Sequence, residues 1–179
     1  MDILDQLWRY ARSFLKRLKG ITLKHTATKK LRVFIPEEDI RFFRFVQEDQ
    51  LGKGEVNKSL VNFEPKEVFR WHCSLMFKLN ETDQDGLPTE LEETVIDAIQ
   101  IRYEKIIVGD NIEKPNALFL ARLAWNETVE LIWRVYRPEH IHEVLTKILE
   151  EDDFLRPFDY RIDDDVEWSL VKWHLATVQ

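Results

Sequence analysis

The chain has 179 residues, 44% of them hydrophobic, with six Trp, eleven Phe and a net charge of −7. That is apolar material enough for one packed domain, and it excludes general disorder. An acidic body argues against nucleic acid as the partner, and the single Cys73 excludes an internal disulfide framework.

The charge is uneven. Residues 1–35 hold nine Lys or Arg against Asp2 and Asp5, a net of +7, so the remainder carries −14. Residues 150–167 hold nine acids against Arg156 and Arg161. No run approaches the roughly 18 apolar residues of a membrane span. Asp5, Arg9 and Arg12 interrupt the N-terminus too early for a secretory leader, so a cytoplasmic location is expected.

Residues 2–19 read as an amphipathic helix, with Leu4, Leu7, Trp8, Ala11, Phe14, Leu15 and Leu18 on one stripe. Arg9, Arg12, Ser13, Lys16 and Lys19 lie outside it, and Gly20 ends it. Such a stripe docks on protein or lies on a membrane surface; docking on protein is the favoured expectation. Residues 1–35 then form a basic helix and connector, and 36–179 a single domain.

Pro36 followed by Glu37, Glu38 and Asp39 predicts a second helix running to Gln50, with Ile40, Phe42, Phe43 and Val46 inward. Gly52-Lys53-Gly54 reads as a turn and Val56–Phe63 as a strand. From Val68 to Leu79, alternation places Phe69, Trp71, Cys73, Leu75, Phe77 and Leu79 on one face of a long strand. Cys73 is therefore a core thiol.

Asp85-Gly86 turns the chain, and Thr89 with Glu92 forms a capping box for a helix to about Glu104 that buries Leu91, Val95, Ile99 and Tyr103. Ala117 to Arg137 reads as a hairpin turning at Asn126-Glu127. Val129, Leu131, Trp133 and Val135 share one face of its second arm, and Glu130, Ile132, Arg134 and Tyr136 the other. A two-residue turn sets Leu123 opposite Glu130, whereas a three-residue loop sets Trp125 opposite Val129; the two-residue turn is favoured.

Pro138 opens a helix whose stripe is Ile141, Val144, Leu145, Ile148 and Leu149. Phe158, Tyr160 and Ile162 mark a last strand, and Val166–Leu175, with Trp168 and Trp173, a short packed helix or turn. The order of strands and helices predicts an α+β fold: a ferredoxin-like antiparallel sheet with helices on one face, plus the N-terminal amphipathic helix.

Glu81, Asp83, Asp85 and Glu92, with Gly86, fall at the spacing of a calcium-binding loop. Glu stands at the first position, Pro88 at the eighth, and a strand precedes, so a polar turn into a capped helix is the expectation. Asp163, Asp164, Asp165 and Glu167 form a charge run that reads as solvated. His140 and His142 point apart on a helix, and His25, His72 and His174 have no evident partner. No serine sits in a nucleophile elbow. No metal, cofactor or catalytic residue is expected.

Asp85-Gly86-Leu87-Pro88, the hairpin end Trp133-Arg134-Val135-Tyr136 and Asp165-Val166-Glu167-Trp168 resemble an uncharacterised bacterial family, domain of unknown function six-nine-five, over roughly residues 55–175. That family is distantly similar to regulator B, a protein inhibitor of ribonuclease E. The resemblance implies a ferredoxin-like α+β fold and brings no catalytic residues.

The function expected is a non-enzymatic interaction or regulatory module that binds a protein partner or itself. Its contact surface would be Phe119, Trp125, Ile132 and Tyr136, should the hairpin register expose them together. The alternative is a metal-dependent enzyme built on carboxylates.

Overall fold

The computed structural model describes residues 33–111 and 114–179, and the expected helix over 2–19 lies outside them. Ile35–Gln179 form one compact unit. Its strands are β1 (Ile40–Gln47), β2 (Gln50–Asn57), β3 (Trp71–Lys78), β4 (Ala117–Trp125), β5 (Thr128–Val135) and β6 (Phe158–Asp164). Its helices are α1 (Glu90–Val108), α2 (Pro138–Glu150) and the short α3 (Lys172–Ala176). All strand pairs are antiparallel in a six-stranded sheet of order β1-β2-β4-β5-β3-β6.

The hairpin β4–β5 turns in two residues, with Trp125 paired to Thr128 and Leu123 to Glu130. Asn126 (φ 49°) and Glu127 (φ 58°) are both left-handed, the geometry whose twist matches the flanking strands. Further from the turn a bulge at Leu120 resets the phase, so Phe119 pairs with Trp133 and Ala117 with Val135. The almost wholly apolar β4 can accept that slip because Leu118, Phe119, Leu120 and Ala121 are buried whichever way they point.

Val129, Leu131, Trp133 and Val135 join Cys73, Leu75 and Phe77 of β3 in the main core, closed by α1 and α2. α1 buries Ile96, Ile99, Tyr103 and Ile107, while Leu91 and Val95 are exposed, so the expected stripe is turned. The cause is Glu92: its carboxylate is drawn inward to Arg156, which rotates that face of the first turn into the protein. Thr89 still caps the helix by accepting from the Glu92 N–H at 3.3 Å. α2 starts on Pro138 and buries Ile141, Leu145 and Ile148.

The second sheet face is also covered. Phe63 stacks on Trp168 at 5.6 Å between ring centroids and meets Phe69 edge-on, and Ile132, Val171 and Leu175 are buried with them. His72 and Ser74, the polar side of β3, lie buried under this layer instead of facing water.

The segment 36–50 is not a helix. Ile40–Gln47 is a strand, turned at Glu48 (φ 52°) and Asp49 (φ 62°) into β2, which runs through Gly52-Lys53-Gly54. The run IRFFRFVQ is β-branched and aromatic, and its apolar spacing fits both periods. Pairing decides the outcome. Phe43 stands opposite Gly54 and Phe45 opposite Gly52, and each ring occupies the space that a side chain on the glycine would need. A Cβ on Gly54 would come within 2.8 Å of the Phe43 ring. Trp173 of α3 then packs edge-on against both rings, at 5.9 and 5.1 Å.

Candidate functional site

α1 and α2 cover the core side of β3, β4, β5 and β6, and among the described residues no helix covers that side of β1 and β2. The uncovered strip and the flank of α1 bound a cavity of about 560 Å³. Phe42, Arg44, Lys53 and Glu55 come from the β1–β2 hairpin, and Pro88, Glu93 and Ile96 from the start of α1. Arg122, Ala124 and Val129 form the inner wall.

Strand register fixes who points in. Ala124 pairs with Val129 and Arg122 with Leu131, so both share the core-facing side of β5. Lys53 pairs with Ala124 and Glu55 with Arg122, which carries the same side onto β2. Phe42 and Arg44 follow on β1, opposite Glu55 and Lys53. Phe42 is 80% exposed, an aromatic ring left in water at the groove's rim.

Arg122 is the hub. Its Nη1 donates to Asp97 Oδ1 at 2.6 Å and to Gln100 Oε1 at 3.2 Å. Its Nε lies 3.4 Å from Glu55 Oε1 and its Nη2 3.6 Å from Glu93 Oε2, while Lys53 Nζ meets Glu93 Oε1 at 2.6 Å. Burial raises the Glu55 pKa; Arg122 opposes the rise, and Asp97 and Glu93 add to it. Three carboxylates thus converge on one guanidinium, which takes the central position that a cation would need. Arg44, on the rim, makes no ion pair among the described residues. The arrangement offers an aromatic rim, an apolar floor and exchangeable charge pairs, which suits binding.

The expected contact residues do not share a surface. Phe119 lies in the core, edge-on to Trp133 at 5.9 Å, because the bulge sets it on that face. Ile132 is buried under the second-face layer, and Trp125 is half-buried, with its Nε1 donating to Gln47 O at 3.3 Å. Tyr136 alone of the four is exposed, under the Arg137 guanidinium at 5.1 Å.

The acids of the calcium-like spacing are spent locally. Asp83 Oδ1 accepts from the N–H groups of Asp85 (2.9 Å) and Leu87 (3.0 Å), closing the turn on itself. Glu92 accepts from Asn80 N–H at 2.9 Å and from Arg156, and the Asp85 side chain is exposed. Of the other run, Asp163 lies beside Arg161 at 3.8 Å, Asp164 pairs with Arg70, and Asp165 with Arg134. Among the described residues no group of three His, Cys, Asp or Glu side chains is placed to share a metal ion.

His142 Nδ1 sits 2.8 Å from the Tyr160 hydroxyl, which Thr146 also reaches at 2.9 Å; His140 is exposed. Burial lowers His72 to about 3 and His174 to about 4, and raises the Cys73 thiol to about 12. The thiol is core and unreactive, as its strand position implied.

Two of the short motifs that looked familiar in the sequence meet in space. Arg134 donates to Asp165 Oδ2 at 3.1 Å and to Asp165 O at 2.6 Å, and its guanidinium lies 4.8 Å over Trp168. Gly86 O accepts from Glu127 N–H at 3.1 Å, tying the Asp-Gly turn to the central hairpin. They hold the fold together, and Pro88, from the first of them, also lines the Arg122 groove. Arg122 was visible only as the polar interruption of an apolar arm. Lys53 and Glu55 were hidden by reading the glycines beside them as a turn; the β-propensity of IRFFRFVQ was the signal that pointed to a hairpin there.

A family profile described as a family of unknown function matches residues 38–173, which takes in the β1–β2 hairpin as well as the later elements. No curated protein and no solved structure matches the chain.

Proposed function

We propose, for a chain that belongs to the DUF695 family of unknown function, that it is a non-enzymatic binding module holding a segment of a protein partner in the groove between α1 and β1–β2. The observation that carries this reading is the groove itself: about 560 Å³, rimmed by an exposed Phe42 and centred on Arg122 with its three carboxylates. Aromatic and arginine groups at a concave site are what protein contacts favour. The elements from Trp71 to Asp164 run strand, helix, strand, strand, helix, strand with order β6-β3-β5-β4, which supports a ferredoxin-like core extended by one hairpin. The distant resemblance to regulator B, itself a protein that binds a protein, favours the same class. A bacterial, cytoplasmic setting belongs to this reading. No helix among the described residues is long and apolar enough to cross a membrane.

Lys53→Trp tests it, because it fills the groove mouth while keeping a residue that suits a strand. The partner captured by the wild-type chain is identified and titrated against both proteins. A loss of tenfold or more, about 1.4 kcal/mol, with the melting midpoint unchanged supports the groove as the site. Equal binding, or no stoichiometric partner at all, overturns it. The carboxylate-enzyme alternative has one observation in its favour, the raised Glu55 carboxyl in a cleft. Hydrolytic activity that Glu55→Gln abolishes would establish it.

A further inference from the structure

We propose that the free edge of β1 pairs antiparallel with β1 of a second copy of this chain, in the register centred on Phe43, joining two sheets into one. Among the described residues β1 is hydrogen-bonded on one side only, and its pairing with β2 runs from Ile40↔Asn57 to Gln47↔Gln50 without a bulge. Straight, unprotected edges are templates for another strand, and proteins normally guard them with charge, proline or a bulge. The opposite edge is guarded: β6 carries Asp159, Arg161, Asp163 and Asp164. β1 carries only Arg41 and Arg44 and leaves Phe42 80% and Val46 70% exposed beside them.

The backbone restricts the register. In a hairpin closed by a two-residue turn, the pair flanking the turn, here Gln47↔Gln50, is hydrogen-bonded. Bonded positions alternate, so Arg41, Phe43, Phe45 and Gln47 turn their N–H and C=O groups to β2. Ile40, Phe42, Arg44 and Val46 turn theirs outward, where only their counterparts in a partner strand can meet them. Centred on Phe43, this sets Phe42 against the partner's Arg44, Ile40 against the partner's Val46 and Arg41 against the partner's Phe45. Each arginine meets a ring and each aliphatic residue an aliphatic one. Shifted one step toward the turn, Arg44 meets the partner's Arg44. Shifted the other way, Phe45 and Val46 run past the partner's strand onto its Asp39 and Glu38. The match of arginine to ring and of aliphatic to aliphatic residue therefore favours a second copy of this strand in this register.

The test is sedimentation equilibrium of the full chain at high micromolar concentration, with circular dichroism melting as the check on folding. Wild type is expected to be a dimer. Phe42→Lys places a like charge against the partner's Arg44 and is expected to raise the dissociation constant at least about tenfold. Phe42→Glu loses the same ring but gains an opposite charge there, and is expected to keep the dimer. A monomeric wild type, a dimer unchanged by Phe42→Lys, or equal dissociation by Lys and Glu each overturns the proposal. Phe42 and Arg44 also rim the groove, so the groove is tested separately by Lys53→Trp, which lies on β2 and leaves the β1 edge intact.

Discussion

The guanidinium of Arg134 is fully buried against the ring of Trp168, and its charge is answered by Asp165 at 3.1 Å. Its remaining donors reach the carbonyls of Phe69 (3.3 Å), Arg70 (2.6 Å) and Asp165 (2.6 Å). Burial pulls the Arg134 pKa down to about 10 against the opposing pull of Asp165. Asp165 also accepts from Ser169 N–H at 2.7 Å and Leu170 N–H at 3.0 Å, so one carboxylate fixes the start of the C-terminal segment. Removing one partner of such a pair strands the other charge, at about 3–5 kcal/mol. Asp165→Asn is therefore expected to cost stability on that scale in urea unfolding. A cost under about 1 kcal/mol, the scale of an exposed pair, would show that the pair is superficial.

A second expectation concerns acid. His72 and His174 are buried, the His72 Nδ1 has no hydrogen-bond partner among the described residues, and the Arg161 guanidinium lies 3.4 Å from His72 Nε2. Both are held neutral in the fold, at about 3 and about 4, while in the unfolded chain they titrate near 6.5. Between those values the unfolded state binds more protons. Stability is thus fully present above pH 6.5 and falls as pH drops below it, by up to about 1.4 kcal/mol per unit for each ring. Urea midpoints between pH 7.5 and 5 should fall, and His72→Gln should flatten the slope. A flat wild-type profile would mean that the rings are hydrated.

Legibility in the sequence followed the strength of local pattern. β3 alternates without interruption and was readable to the facing of Cys73; α2 announced itself by Pro138 and its stripe. β1 was not legible, because Pro36 and three acids imitate a helix start and the five apolar residues of IRFFRFVQ satisfy both periods. What decides there is long-range: glycines on β2 that receive the Phe43 and Phe45 rings, and Trp173 arriving from the far end of the chain. The candidate groove depended on that same hairpin, so misreading one strand hid the site. Nor could alternation reveal that the second sheet face is covered, which is why Ile132 looked available for contact, or that the bulge at Leu120 turns Phe119 into the main core.

The central turn offers a stabilising substitution. Asn126 tolerates a left-handed backbone, but Glu127 at φ 58° pays for its Cβ, where glycine would not. Its backbone bonds, N–H to Gly86 O and C=O from Leu79 N–H, survive replacement. Glu127→Gly is expected to raise stability by about 0.5–1 kcal/mol, the relieved strain exceeding the added freedom of the unfolded chain. A fall in the urea midpoint would place the Glu127 side chain among the stabilising contacts instead.

The last expectation separates the polar turn from a calcium loop. Glu92, the residue at the bidentate position of that spacing, is buried in an ion pair with Arg156, whose Nη2 lies 3.1 Å from Oε2. The bond from Arg156 holds its pKa below the ordinary carboxylate value against the opposing effect of burial. Arg156 also donates to Lys78 O at 3.2 Å, so the pair ties the start of α1 to the end of β3 and the entry to β6. Glu92→Gln is expected to cost about 3–5 kcal/mol at neutral pH by stranding Arg156. Because the folded pKa is depressed, that contribution is present above pH 4.5 and disappears as pH falls through the folded value. Millimolar Ca²⁺, Mg²⁺ or Mn²⁺ should leave the melting midpoint of the wild-type chain unchanged, since an ion could reach Glu92 only by displacing Arg156. A rise with any of them that Glu92→Gln abolishes would mean that the loop does open to a cation.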